Sequence, residues 1–179
     1  LHYRCLPATF MGTDDFRPFS EHYDTLYLQT KEANTPWEIY AAIKYAIALG
    51  LPQEVKKLKD KLHGLLNNDK TKKVASYYDH SIRAFEARIS GDDDLALSHI
   101  DSAFQYMLAL HWIERTASRY DKTIMSANIY ANKGDYEKAI SFYNPHQFMS
   151  GSPTFRGYST YQLSNWYEQI GDTENALAK

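Results

Sequence analysis

The residues of this chain best suited to hold a metal or move a proton are its seven histidines, His2, His22, His63, His80, His99, His111 and His146. Their spacing supports neither role: no two stand in an HExxH arrangement and no carboxylate cluster accompanies them, so no metal site is expected. Cys5 is the one cysteine, which excludes an internal disulfide and a CxxC motif, and with His2 nearby it makes an incidental pair rather than a nucleophilic one. Asp92, Asp93 and Asp94 lack the later ligands and the glycine of a calcium loop, and helix capping accounts for them. There is no glycine-rich phosphate loop and no GxSxG elbow. With no catalytic constellation, neither an enzyme nor a bound cofactor is expected, and no small-molecule substrate.

Lys56, Lys57, Lys59 and Lys61, followed by Lys70, Lys72 and Lys73, raise binding to nucleic acid or to an anionic membrane. Against it stand the interspersed Glu54, Asp60 and Asp69 and a formal net charge of −2, which favour a solvated helix face. Nucleic acid is therefore not an expected partner. No apolar run approaches the roughly 18 residues that span a bilayer, so the chain carries no membrane-spanning segment. One thiol assigns no redox compartment, and the localisation stays open.

The elements that must position any site are helical. Of the 179 residues 44% are apolar, and glycine and proline concentrate in short joints and in two loop-like stretches, Phe10 to Pro18 and Asn144 to Pro153. Leu51, Val55, Leu58, Leu62 and Leu65 recur at helical spacing, with lysines beside or opposite them. Leu97, Ile100, Phe104, Met107 and Leu108 line one face of another helix, and Tyr23, Leu26, Tyr27 and Thr30 suggest one near the N-terminus. The periodicity predicts helices over 17–31, 36–49, 52–67, 73–90, 93–110, 114–133, 136–147 and 155–170, with another starting at 173. The fifteen tyrosines fall largely at helical intervals, which suits ring contacts between helices.

The joints recur. Gly134-Asp135-Tyr136-Glu137-Lys138-Ala139-Ile140 has a looser copy in Gly171-Asp172-Thr173-Glu174-Asn175-Ala176-Leu177. Ser90-Gly91-Asp92-Asp93-Asp94-Leu95-Ala96 repeats it, Leu49-Gly50-Leu51-Pro52-Gln53-Glu54-Val55 is a proline variant, and Met11 to Phe16 is a fainter copy. In each, glycine suits a left-handed residue that ends one helix, aspartate or proline starts the next, and a small residue lets the two helices approach. From Val55 to Ala96 is 41 residues, from Ala96 to Ala139 is 43, and from Ala139 to Ala176 is 37.

These joints resemble those of tetratricopeptide repeats. Ala127, Tyr130, Gly134, Ala139 and Tyr143 fall at the family's small, aromatic, glycine, alanine and aromatic positions, and Ser164, Tyr167, Gly171 and Ala176 match in the last unit. Upstream, Ala84, Ala87, Gly91, Ala96 and Ala103 fit with alanine replacing the aromatic, and the first unit keeps Ala46 and Gly50. The spacings exceed the family's period of about 34 residues, and its tryptophan and closing proline are missing. The resemblance implies an all-α, right-handed α-solenoid of four to five antiparallel hairpins, the last truncated. They form a single domain over 1–179, at roughly 1–31, 36–67, 73–110, 114–147 and 155–179. The chain opens at Leu1 and stops at Lys179 soon after a helix start, and it is expected to be a piece of a longer protein.

In that family the first helix of each hairpin lines a concave surface. The corresponding residues here are Ile124, Asn128, Ala131 and Asn132 in the third unit and Tyr158, Tyr161, Gln162, Asn165 and Glu168 in the fourth. Tyr40, Lys44, Tyr78, Ser81, Phe85 and Arg88 would continue the surface upstream. The peptide-binding residues implied are Asn128, Asn132, Tyr158, Tyr161, Asn165, Glu168, Tyr78, Phe85 and Arg88. An asparagine amide both donates and accepts, so Asn128 and Asn165 suit an extended peptide backbone, while plain solvent exposure is the alternative for both. Ile124 and Tyr161 stand where a carboxylate clamp would place lysine, which disfavours capture of a terminal carboxylate. The expected function is a non-catalytic scaffold that binds a peptide or helix of a protein partner. The alternative is a sensor or regulatory segment of a larger signalling protein, attached to a histidine kinase or a transcriptional regulator.

Overall fold

Thr35 opens the first described helix with a reciprocal cap: its hydroxyl accepts from the Glu38 N–H at 3.4 Å, and the Glu38 carboxylate accepts from the Thr35 N–H at 3.2 Å. Here and below the structure is a computed structural model that describes residues 32, 34–143 and 153–177. Its helices are α1 (Pro36–Ala48), α2 (Pro52–Leu65), α3 (Lys72–Ile89), α4 (Asp93–Tyr106), α5 (Trp112–Asn132), α6 (Tyr136–Phe142), α7 (Pro153–Gln169) and α8 (Thr173–Leu177). Every regular element among the described residues is helical, with one 3-10 turn at Met107–Ala109. None of these helices is long and apolar enough to cross a membrane. The helix expected over 17–31, the hairpin over 1–31 and the Phe10-to-Pro18 loop lie outside the described residues.

The four joints share one backbone geometry. Gly50, Gly91, Gly134 and Gly171 have φ of 67°, 83°, 79° and 78°, a left-handed conformation that a Cβ disfavours. In each joint two N–H groups turn back onto the preceding helix. Gly50 donates to the Ile47 carbonyl and Leu51 to Ala46; Gly134 donates to Ala131 and Asp135 to Tyr130. Gly91 with Asp92, and Gly171 with Asp172, repeat the pattern residue for residue. Asp92, Asp135 and Asp172 then cap the following helix by accepting from the N–H three residues on, at 3.0, 3.1 and 3.1 Å. The fifth residue after each glycine faces inward: Val55, Ala96, Ala139 and Ala176 are all buried.

Helix ends account for most departures from expectation. The helix expected over 93–110 stops at Tyr106, tightens into the 3-10 turn and releases Leu110 into an extended conformation that buries its side chain. Leu108 is consequently exposed, and the buried stripe of α4 is Ala96, Ile100 and Ala103 rather than the larger residues on the adjoining face. In α2 the buried stripe narrows to Val55, Leu58 and Leu62, with Leu51 and Leu65 outside it. The helix expected over 136–147 ends at Phe142, and Tyr143 leaves the helix with its ring buried.

The chain divides into two compact units, with the boundary in sequence between Arg115 and Thr116. In the first, α1 packs on α2, α3 packs along α4, and α1 also packs on α3. Its interior is aromatic: Tyr40 lies 5.4 Å from Tyr78, which meets Tyr77 edge-on at 5.3 Å. The second unit gathers α5, α6 and α7 around Ile124, Ala127, Ala139, Tyr143, Leu163 and Trp166, with Tyr143 and Trp166 edge to face at 5.1 Å. The Ser164 hydroxyl donates to the Ala176 carbonyl at 2.8 Å and ties α8 to α7.

Candidate functional site

Counting back from each joint glycine places the first helices in a common register. The sixth residue before it is Lys44, Phe85, Asn128 and Asn165, and the tenth is Tyr40, Ser81, Ile124 and Tyr161. In the first unit both rows are closed. Lys44 is buried with its ammonium 5.4 Å from the Tyr40 ring centroid and 5.2 Å from that of Phe85. A cation so placed meets the negative faces of both rings, which offsets part of its lost hydration.

Four of the expected peptide contacts are withdrawn from the surface, Tyr78, Phe85 and Arg88 here and Asn128 in the second unit. Tyr78 and Phe85 are interior side chains, and Arg88 donates from Nη1 to Asp93 Oδ1 across the α3–α4 joint with both side chains largely covered. The Tyr78 hydroxyl is buried without a hydrogen-bond partner. Burial, followed by the nearby Glu114 carboxylate, pushes its proton affinity far above the ordinary phenol range. Glu114 is itself raised, chiefly by desolvation.

The second unit is more open. Asn128 is buried on α5 and Asn132, one turn on, is exposed. On α7 Tyr161 is exposed, Asn165 half-buried and Glu168 exposed; at i, i+4 and i+7 these three share one face. Tyr158 precedes them on the same helix. The contrast is sharpest in the row ten residues before the joint: Tyr40, Ser81 and Ile124 are 1%, 0% and 1% exposed, whereas Tyr161 is 62% exposed. One side chain of four at this register meets solvent, and it is a large aromatic.

A concavity unmarked in the sequence lies in the first unit. A groove of about 600 Å³ runs beside α2, with Ile47, Leu51 and Val55 on its apolar wall and Lys59, His63 and Glu86 on its polar one. That size suits a small ligand, and of its titratable lining residues, Lys56, Lys59, Asp60, His63 and Glu86, three are engaged in pairs. Lys59 Nζ donates to Glu86 Oε1 at 2.6 Å, and His63 Nε2 meets Asp79 Oδ1 at 2.9 Å, so both pairs bridge α2 to α3. Part of the lysine-rich face is thus a polar strut. The exposed Lys57–Glu54 pair, at 3.8 Å, adds little.

Comparison with protein-family models, with curated proteins and with solved structures returned no match.

Proposed function

We propose that this chain is a non-catalytic interaction module, a right-handed α-solenoid of tetratricopeptide-like hairpins that receives an extended peptide of a protein partner on α7. The four superimposable joints and the packing of α1 on α3 support the solenoid reading. So does Lys44 on Phe85, because residues at one register touching across successive first helices is what stacked hairpins require.

The observation that carries the binding reading is the shared face of Tyr161, Asn165 and Glu168 on α7, with Tyr161 and Glu168 exposed. An exposed tyrosine offers a large contact area at small entropic cost and anchors interfaces. Asn165, one turn on, can both donate to and accept from a peptide backbone, and Glu168 adds a negative charge that favours a lysine or arginine. The surface is narrower than the resemblance implies, since Tyr78, Phe85 and Arg88 are engaged elsewhere.

Panning the chain against a displayed random-peptide library tests the reading. Selected peptides should lose about tenfold in affinity, or about 1.4 kcal/mol, with Tyr161→Ala or Asn165→Ala. Glu168→Gln should weaken only those that carry a basic residue. Absence of enrichment, or peptides that bind all three variants as tightly as the parent, would reject the α7 surface.

A further inference from the structure

We propose that His80 and His99 form a two-histidine chelate for a tetrahedral divalent transition ion, zinc in the first instance. This inference is independent of the peptide surface on α7. His80 lies on α3 and His99 on α4, and packing of the two helices brings their Nδ1 atoms to 3.3 Å. The ring centroids are 5.5 Å apart with the planes inclined at 43°, so the rings meet through their nitrogens rather than stacking face to face. Tyr106 lies parallel to His80, 6.0 Å away and within 8° of coplanar orientation, and fixes the plane of that imidazole from one side.

Two imidazole nitrogens in this arrangement can share a proton or a cation. At 3.3 Å the two nitrogens are within reach of a shared proton, and the same separation admits a shared cation. With Zn–N bonds of about 2.0–2.1 Å, two corners of a zinc tetrahedron stand about 3.3–3.4 Å apart, which the observed pair matches without rearrangement of either helix. Borderline-soft ions that accept imidazole are favoured over magnesium or calcium, which demand oxygen ligands.

Among the described residues no third histidine, cysteine or carboxylate completes a cluster with the pair. The remaining corners are left to water, so the ion is exchangeable rather than structural. The charges around His99 point the same way: Arg83 repels a cation there and Glu86 attracts one, and Glu86 is already bound to Lys59. The site has no sequence signature, because 19 residues separate its ligands and only the packing of α3 on α4 joins them.

Titration of the metal-free full chain with Zn²⁺, followed by calorimetry and by the histidine ring signals in NMR, tests the proposal. One ion should bind per chain, shifting or broadening the His80 and His99 ring signals while those of His63 stay in place. His80→Ala and His99→Ala should each lower the affinity by about tenfold or more. The ring signals of the unsubstituted chain decide the matter even if a variant fails to fold. His80 and His99 signals that do not respond to about ten equivalents of Zn²⁺, or that respond no more than His63, would overturn the assignment.

Discussion

Lys44 and Phe85 each stand six residues before a joint glycine, Gly50 and Gly91, and they touch, the ammonium lying 5.2 Å from the ring centroid. The lysine thereby joins α1 to α3 through its buried stem as well as its charge. Lys44→Ala should cost about 2–3 kcal/mol, combining lost packing with the lost cation–ring contact. Lys44→Met keeps most of the stem and should cost under about 1 kcal/mol. Urea unfolding of the two variants separates the contributions, and equal losses would show that charge rather than packing holds the seam.

The glycines divide into two kinds by backbone conformation alone. A Cβ added at Gly134 or at Gly64 meets nothing within 4 Å, so sterics with neighbours distinguish neither. Gly134 has φ 79°, where an L-residue is strained, whereas Gly64 lies within helix α2. Gly134→Ala should therefore destabilise by about 1–2 kcal/mol, while Gly64→Ala should stabilise by about 0.5–1 kcal/mol through helix propensity and a less free unfolded chain. Thermal unfolding midpoints should move in opposite directions.

These contrasts mark what was legible in the sequence. Gly50, Gly91, Gly134 and Gly171 with their following cap residues are local signals, and the helices they separate fall within a few residues of the expected bounds. The exceptions are the end at Tyr106, which no glycine or proline marks, and the end at Phe142, with Pro145 three residues on, and burial of Leu110 and Tyr143 accompanies them. Accessibility was much less legible. Tyr40 is buried and Tyr161 exposed at one register, and Tyr78 and Phe85 are buried as well, because burial depends on which helix packs alongside and residue type does not reveal that. The His80–His99 contact and the groove beside α2 were hidden for the same reason: both are assembled from separate helices.

Asp172 should make stability depend on acid. Its carboxylate accepts from the Asn175 side-chain amide at 2.8 Å and from the Asn175 N–H at 3.1 Å, which hold its pKa below the ordinary carboxylate value. The unfolded chain lacks both bonds and titrates near about 3.9. Because the folded value is the lower, the contribution is fully present above the unfolded value and is lost as pH falls through the folded one. Asn175→Ala removes the larger cause, so the Asp172 titration midpoint followed by carbon NMR should rise toward the ordinary value. An unchanged midpoint would assign the effect to the backbone donor instead.

Tyr78 supplies the sharpest stability test, because its ring and its hydroxyl have opposite effects. The ring packs against Tyr40 and Tyr77, while the buried hydroxyl has no hydrogen-bond partner and lies in the field of Glu114. Tyr78→Phe keeps the packing and deletes the unsatisfied group, so it should stabilise by about 1 kcal/mol, whereas Tyr78→Ala should cost about 3–5 kcal/mol. Glu114 carries a related penalty: burial raises its folded pKa, so the cost of its charge is absent below the unfolded value of about 4.3 and grows as pH rises through the folded one. Glu114→Gln should accordingly raise the unfolding midpoint at neutral pH and leave it unchanged in acid. A destabilised Tyr78→Phe would mean that the hydroxyl is satisfied in solution, by an ordered water between the helices.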